Sequence, residues 1–266
     1  MLTLVNGLAT DTISVHDRGL LYGDGVFRTM LLRAGEIQHW HLHYAKLRDD
    51  CLALNLPCPT ETTLLDDLGT IKHRKQNGVV RITITRGAGG ARGYAITKSP
   101  PSRWLTFSPL TAYPASFAMS GVKLHICDLR LSHQPRLAGI KHLNRLENVL
   151  AASEWSDPEI HEGLLLDEDG FVIEGVRSNV FMVCRSVLIT PDLSQCGVSG
   201  IQRQRILNWA RENGIHCQVK KISMNDLLQA EEIFLVNSVI GLWPVREMPG
   251  YFREHHPVSK MIQEWL

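Results

Sequence analysis

A marked charge of either sign is the first thing missing from this 266-residue chain. Its 28 lysines and arginines balance 27 aspartates and glutamates, leaving a formal net charge of +1. Nucleic-acid binding usually leaves a basic footprint, so that class of partner is not expected. Long apolar runs are missing too. None approaches the ~20 residues needed to cross a bilayer, so no membrane partner is expected either. The opening residues, "MLTLVNGLATDTISVHDRG", have neither the basic start nor the apolar stretch of a secretory signal. Cysteine is present without any C-x-x-C pair: Cys51, Cys58, Cys127, Cys184, Cys196 and Cys217 are scattered. That argues against a structural zinc site and a disulfide framework, and it fits a reducing cytoplasm. Twelve histidines raise the question of a metal. Yet "HWHLHY" at 39–44 alternates polar and bulky residues and no H-E-x-x-H occurs, so no metal site is expected.

What is present is ordinary for a soluble globular protein: 44% apolar and 21% charged residues, in a chain long enough for one large domain or two modest ones. In the first half, "TLVNG" and "TISV" read as short strands joined by an Asn6–Gly7 turn. "GVFRTMLLRAGEIQHW" alternates around Ala34–Gly35, a second hairpin signal. "HLHYAKLRDDCLALNL" has helical spacing, a further helix is expected over Glu61–Gln76, and "GVVRITITRG" and "SRWLTFSPL" are β-rich. "TAYPASFAMSG", with Pro114 and small residues, is the linker candidate. In the second half, "EGLLLDEDGFVIEG" and "SNVFMVCRSVLITP" read as hairpins. "SGIQRQRILNWARENG" reads as a helix with Ser199 as N-cap and Gly214 past its end. "CQVKKIS", "MNDLLQA" and "EEIFLVNS" form a strand–helix–strand unit. The expectation is an α+β N-terminal domain over 1–112, a linker over 113–119 and a larger C-terminal domain over 120–266, with mostly antiparallel sheets and flanking helices.

One stretch does not fit a bland reading. "LAGIKHLNRLENV", from Leu137 to Val149, puts a lysine behind Ala138, Gly139 and Ile140, with His142 and Arg145 close after it. Partial burial and a neighbouring cation both disfavour an ammonium ion, so Lys141 is placed to be a chemically active amine. "QCGVSGIQRQRIL" sets Gly197, Ser199 and Gly200 at a helix start, where free backbone N–H groups and the helix dipole suit an anion. "FLVNSVIG" ends an apolar strand in Asn237–Ser238, which could face the same anion. A lysine with a phosphate cradle is the pairing expected for pyridoxal phosphate, which also needs a carboxylate at its pyridine nitrogen. "GFVIEGVRSNVF" offers Glu174, followed by Ser178 and Asn179.

These pieces, "LAGIKHLNRLEN", "EGVRSNVF", "GVSGIQRQ" and "SVHDRGLLYGDGVFRT", resemble the class IV aminotransferase family of pyridoxal-phosphate enzymes, in the same order and at similar spacings as far as about Val245. The resemblance implies a two-domain fold-type IV enzyme similar to D-amino-acid aminotransferase, α+β/α/β, with mixed sheets and flanking helices. It implies that Lys141 is the Schiff-base lysine, in the C-terminal domain. Glu174 would face the pyridine nitrogen, with Ser178 and Asn179 beside it. Gly200, Ile201, Gln202, Asn237 and Ser238 would hold the phosphate. The family usually shows H-x-x-R-L on its first long helix; "HYAKL" here has Lys46 instead, which keeps the charge and loses the bidentate fork. Arg48 points to another helix face.

"AGIKHLNRLE" and "RGAGGARGY" are most similar to a lyase branch of the family. That implies 4-amino-4-deoxychorismate as substrate, and 4-aminobenzoate and pyruvate as products on the way to folate. The glycine-rich "TRGAGGARGYA" at 85–95 lacks the spacing and G-K-[ST] ending of nucleotide sites. In the relatives this region closes over the substrate, which makes Arg92 and Tyr94 candidates for its carboxylates. Arg28 is another candidate, though a strand-face salt bridge would account for it equally. A D-amino-acid or branched-chain aminotransferase of the same fold is the alternative reaction, and a non-catalytic phosphate-ligand binding module the alternative class. The relatives are homodimers, and the same assembly is expected.

Overall fold

The computed structural model describes residues 2–72, 77–89, 93–96 and 99–266. The chain forms two compact units, one of Met1–Ala112 with Ile140–Asn144, the other of Tyr113–Gly139 with Arg145–Leu266.

In the first unit, β1 (Leu2–Val5) and β2 (Leu8–Ala9) flank a turn in which Asn6 and Gly7 take φ of 51° and 84°. Two positive φ values in succession match the twist of a hairpin, and Asn-Gly tolerates them. The second strand therefore starts directly after the turn. "TISV", expected as that strand, lies beyond β2 in irregular backbone. Helix α1 (Arg18–Tyr22) follows, capped by Asp17, whose side chain accepts the Gly19 N–H at 2.8 Å. β3 (Gly25–Arg33) and β4 (Glu36–Ile37) turn at Ala34–Gly35 as the sequence predicts. Helices α2 (Trp40–Ala53) and α3 (Glu61–Lys72) lead to β5 (Gly78–Thr85) and β6 (Ser102–Pro109). Among the described residues the sheet runs β2-β1-β6-β5-β3-β4, every neighbour antiparallel.

Strand side chains alternate between faces. Val26, Met30 and Leu32 of β3 therefore share one face with Val80, Ile82 and Ile84 of β5. Leu47 and Cys51 of α2, and Leu64, Leu68 and Ile71 of α3, close that face into one core. The same alternation places Arg28 among the apolar residues of β3.

The buried stripe of α2 is His43, Leu47, Asp50 and Cys51. Burial, then the Arg28 cation, hold the His43 imidazole down to about 3. In the unfolded chain it titrates near 6.5, so between 6.5 and about 3 the unfolded state binds a proton that the folded state refuses. This group's contribution is thus full above the unfolded pKa and declines as pH falls through the window, by about 1.4 kcal/mol per pH unit. Urea titrations at neutral and mildly acidic pH should show the decline, and His43→Leu should flatten it. An unchanged slope in the variant would exclude His43 as the cause.

In the second unit, the stretch read as a linker contains a short helix, α4 (Ala115–Met119), whose Phe117 meets Trp243 edge-on with ring centroids 5.2 Å apart. Then come β7 (Val122–Leu131), α5 (Leu146–Ala152), β8 (Ile160–Asp167) and β9 (Phe171–Gly175). β10 (Asn179–Cys184), β11 (Val187–Pro191), α6 (Ile201–Glu212) and β12 (Cys217–Lys220) follow. The chain closes with β13 (Ile222–Ser223), α7 (Met224–Leu228), β14 (Glu232–Asn237), β15 (Gly241–Met248), β16 (Tyr251–Phe252) and α8 (Pro257–Trp265).

Among the described residues these strands form one sheet in the order β12-β11-β10-β14-β15-β7-β8-β9-β13, with β16 beside β15. The pairs β11/β12, β15/β7 and β7/β8 are parallel, so the sheet is mixed. Val180, Met182, Ile233 and Leu235 fill the core on one face. Phe181, Val183, Phe234 and Val236 on the other pack against Ile206, Trp209 and Ala210 of α6 and Ile262 of α8. Burial on both faces explains why "NVFMVC" and "EIFLVN" read as nearly continuous apolar runs.

Candidate functional site

Lys141 belongs to the segment Ile140–Asn144 of the first unit. Ile140 is buried in that unit's core, which accounts for the apolar lead-in. The Lys141 carbonyl accepts the Phe27 N–H at 3.0 Å, Leu143 N–H donates to the Gly25 carbonyl at 3.0 Å, and His142 bridges to Val26. The segment is thus laid antiparallel along the start of β3. The Lys141 N–H donates to Oδ2 of Asp50 at 3.0 Å, and its Nζ stands 4.7 Å from the centre of the Phe27 ring. Arg81 also lies over that ring, at 3.9 Å.

Arg28 and Lys46 both meet Asp50, which is 1% exposed and forms an ion pair with each. Arg28 also donates to the Lys46 carbonyl at 3.0 Å and is itself buried. Its guanidinium is engaged inside the first unit. Burial lowers the Lys46 pKa, and the Arg28 cation adds to that, against the attraction of Asp50. Arg92 lies outside the described residues. The Tyr94 side chain is exposed and edge-on to Tyr22, with centroids 5.4 Å apart. Arg18 donates to the Gly93 and Tyr94 carbonyls at 3.1 and 3.3 Å, which ties that loop to α1.

Sequence reasoning missed a half-buried carboxylate, Asp24, held by Arg18 at 2.9 Å and Arg86 at 2.8 Å. Burial alone would raise its pKa; hydrogen bonds from Arg86 and Arg18 outweigh that and hold the carboxyl below the usual range. It missed Asp50 as well. The signal for Asp50 was its helical spacing from His43 and Leu47, which puts it on the inward stripe of α2.

In the second unit, Glu174 stands on β9, buried, with Oε2 accepting the Val198 N–H at 2.8 Å. Asn179, at the start of β10, grips the same loop from the other side. Its Nδ2 donates to the Val198 carbonyl at 2.7 Å and its Oδ1 accepts the Gly200 N–H at 3.1 Å. Ser178 Oγ bonds to Glu162 at 3.2 Å. Burial pushes that glutamate above the usual carboxylate range. The loop also pairs with Gly139, whose N–H donates to the Gly197 carbonyl at 2.9 Å and whose carbonyl accepts the Ser199 N–H at 3.2 Å. Ser199 is therefore not the cap of α6; Gly200 is, in extended conformation and with no side-chain cap. A Cβ on Gly200 would lie 2.3 Å from Asn179 Oδ1, so the close approach demands glycine.

The first-turn N–H groups of Ile201, Gln202 and Arg203 have no acceptor among the described residues. They lie at the positive end of a 12-residue helix, which suits an anion. Asn237 closes the β14–β15 turn, its Oδ1 accepting from Val239 and Ile240 at 2.8 and 2.9 Å and its Nδ2 donating to the Arg177 carbonyl at 3.1 Å. Ser238 sits in that turn. The second unit therefore ties Glu174, Asn179 and Gly200 together through the loop at Val198, with Ile201 and Gln202 opening the helix behind it, while Ser178 and Asn237 bond elsewhere, to Glu162 and to the Arg177 carbonyl. A phosphorylated pyridine aldehyde needs an anion cradle, a carboxylate and an amine. Within the second unit the uncapped N–H groups of α6 and the Glu174 carboxylate supply the first two, so its donors fit the phosphate and pyridine ends of such a group.

Residues 25–248 match the Amino-transferase class IV family, and the chain belongs to that family. Its fold is that of the fold-type IV aminotransferases. The crystal structure of 4-amino-4-deoxychorismate lyase from Pseudomonas aeruginosa is similar at 41% sequence identity and a TM-score of 0.95, covering 99% of this chain and 97% of that one. Aminodeoxychorismate lyase of Vibrio harveyi is 35% identical over 243 residues, 91% of this chain and 89% of its own. A putative branched-chain-amino-acid aminotransferase of Methanocaldococcus jannaschii is 30% identical over 256 residues, 95% of this chain and 88% of its own.

Proposed function

We propose that this chain is a pyridoxal-phosphate-dependent lyase that converts 4-amino-4-deoxychorismate into 4-aminobenzoate and pyruvate. The observation that carries the reading is the likeness to two proteins named for this reaction, at 41% and 35% identity over nearly the whole of both chains. The aminotransferase from Methanocaldococcus jannaschii stands further off, at 30%.

Pyridoxal phosphate, when bound, supplies the electron sink for breaking a bond next to the substrate amine. The rest falls to the chain's own residues. Lys141 would hold the cofactor through its amine, and the same amine would take the proton from the amine-bearing ring carbon and return one to the departing enolpyruvyl group. Aromatisation of the ring draws the reaction forward. Glu174 would face the pyridine nitrogen with its buried carboxylate and favour the protonated ring. The N–H groups of Ile201 and Gln202, with Gly200, Asn237 and Ser238, receive the phosphate, and Lys46 adds a point charge. Ser178 and Asn179 hold the Glu174 and Gly200 loops in place. Arg92 and Tyr94 meet the substrate carboxylates; Arg28, engaged by Asp50, is given no substrate contact.

The two units correspond in this reading to a smaller N-terminal and a larger C-terminal domain, except that the segment Ile140–Asn144 with Lys141, expected in the C-terminal domain, groups with the first unit. The enzyme works as a homodimer in the cytoplasm. The apolar face of α5, exposing Leu146, Val149 and Leu150 at helical spacing, supports an assembly. Six free cysteines support a reducing compartment. No helix among the described residues is long and apolar enough to cross a membrane.

Cofactor-loaded protein given fresh 4-amino-4-deoxychorismate should release 4-aminobenzoate and pyruvate in equal amounts, with no keto-acid co-substrate. Transfer of an amino group from a branched-chain or D-amino acid to 2-oxoglutarate, with no 4-aminobenzoate formed, would put an aminotransferase in its place. Phosphate-ligand binding with neither reaction would leave a binding module.

A further inference from the structure

We propose that Asp50 is the residue that positions Lys141, its carboxylate accepting the lysine's backbone N–H while paired with Arg28 and Lys46. The inference rests on the reading of Lys141 as the cofactor lysine. It starts from two periodicities. Strand alternation puts Arg28 on the apolar face of β3 with Val26 and Met30, where a guanidinium needs a counter-charge. Helical spacing puts Asp50 on the buried stripe of α2 with His43 and Leu47. The two meet.

If neutralising Arg28 were the whole purpose, the pair would be complete there. Instead Oδ1 of Asp50 takes Lys46, and Oδ2 takes both Arg28 and the N–H of a residue 91 positions further along the chain. A hydrogen bond to an ionised acceptor is about twice as strong as a neutral one. The carbonyl of Lys141 is held independently by the Phe27 N–H at 3.0 Å. With the peptides on both sides of its Cα fixed, the side chain departs in one direction, along the Phe27 ring. A reacting amine launched from an ordered backbone loses less on reaching its partner. The contact leaves the lysine side chain itself untouched, so Asp50 is a positioning residue.

Removing Asp50 alone would strand a buried cation, so the test is made on the Arg28→Met background. Asp50→Asn retains an oxygen that can accept the Lys141 N–H; Asp50→Leu does not. With melting temperatures matched, the Leu form should turn yellow about tenfold more slowly when pyridoxal phosphate is added to apoprotein. Its kcat should be about 10²-fold lower with KM little changed, since a small misplacement of a reacting group costs that much. Should the Leu form fail to fold, Asp50→Ala in the same background takes its place. Equal colouring rates and equal kcat in the Asn form and the folded apolar form would overturn the positioning role. A wild-type protein that does not colour, or a Lys141→Ala protein that colours at the wild-type rate, would instead overturn the reading of Lys141.

Discussion

Lys141→Ala should give a folded protein that stays colourless with pyridoxal phosphate and loses at least about 10³-fold of its lyase activity. Removing proton transfer alone costs roughly 10²–10⁴-fold, and here the covalent hold on the cofactor goes too. The fold should survive because the contacts that place this segment are made by backbone. The N–H goes to Asp50, the carbonyl to Phe27, and the neighbouring Ile140 is buried in the core. The side chain's place over the Phe27 ring, one of the contacts it gives up, is worth about 0.5–1 kcal/mol at a part-exposed site. Lys141→Arg should be equally inactive, since it keeps the charge and lacks the nucleophile. Near-normal colour and turnover in either variant would remove Lys141 from the chemistry.

Glu174→Gln should lower kcat by roughly 10²-fold, the scale on which one preorganised electrostatic partner usually acts. The substitution isolates charge from structure. Glu174 is buried and its Oε2 accepts the Val198 N–H at 2.8 Å, a bond that a glutamine carbonyl oxygen can keep. The loop through Gly200 should therefore stay in place, and the melting temperature should hardly move. Glu174→Ala differs, because it leaves the Val198 N–H without its acceptor and should cost about 1–3 kcal/mol of stability as well. Equal losses of stability in the two variants, with no loss of kcat in Glu174→Gln, would make Glu174 a loop anchor and nothing more.

The turns were the most legible part of the sequence, for a local reason. Asn6–Gly7 and Ala34–Gly35 each place glycine where the backbone takes positive φ. Alternation found β3 and β5 for the same kind of reason. "TISV" misled because it alternates as a strand does. β1 already pairs with β2 on one side and with β6, from far along the chain, on the other, and no local pattern reveals that. Ser199 looked like a cap by residue type, yet its N–H is taken by Gly139, and the close approach of Asn179 demands glycine at 200.

Lys141 and Glu174 stood out as chemical types and through the family resemblance. Their burial and backbone partners depend on tertiary pairing. Asp50 was hidden in plain view: an acid four residues after a lysine reads as a surface pair, and its partners Arg28 and Lys141 lie far off in sequence. Asp24 and Arg86 escaped for the same reason.

Borohydride reduction of the yellow protein, followed by digestion and peptide mass analysis, puts the central claim to its most direct trial. The account predicts one peptide carrying the reduced cofactor, the one that contains Lys141. Attachment at Lys46 or any other lysine, or no attachment at all, would contradict it.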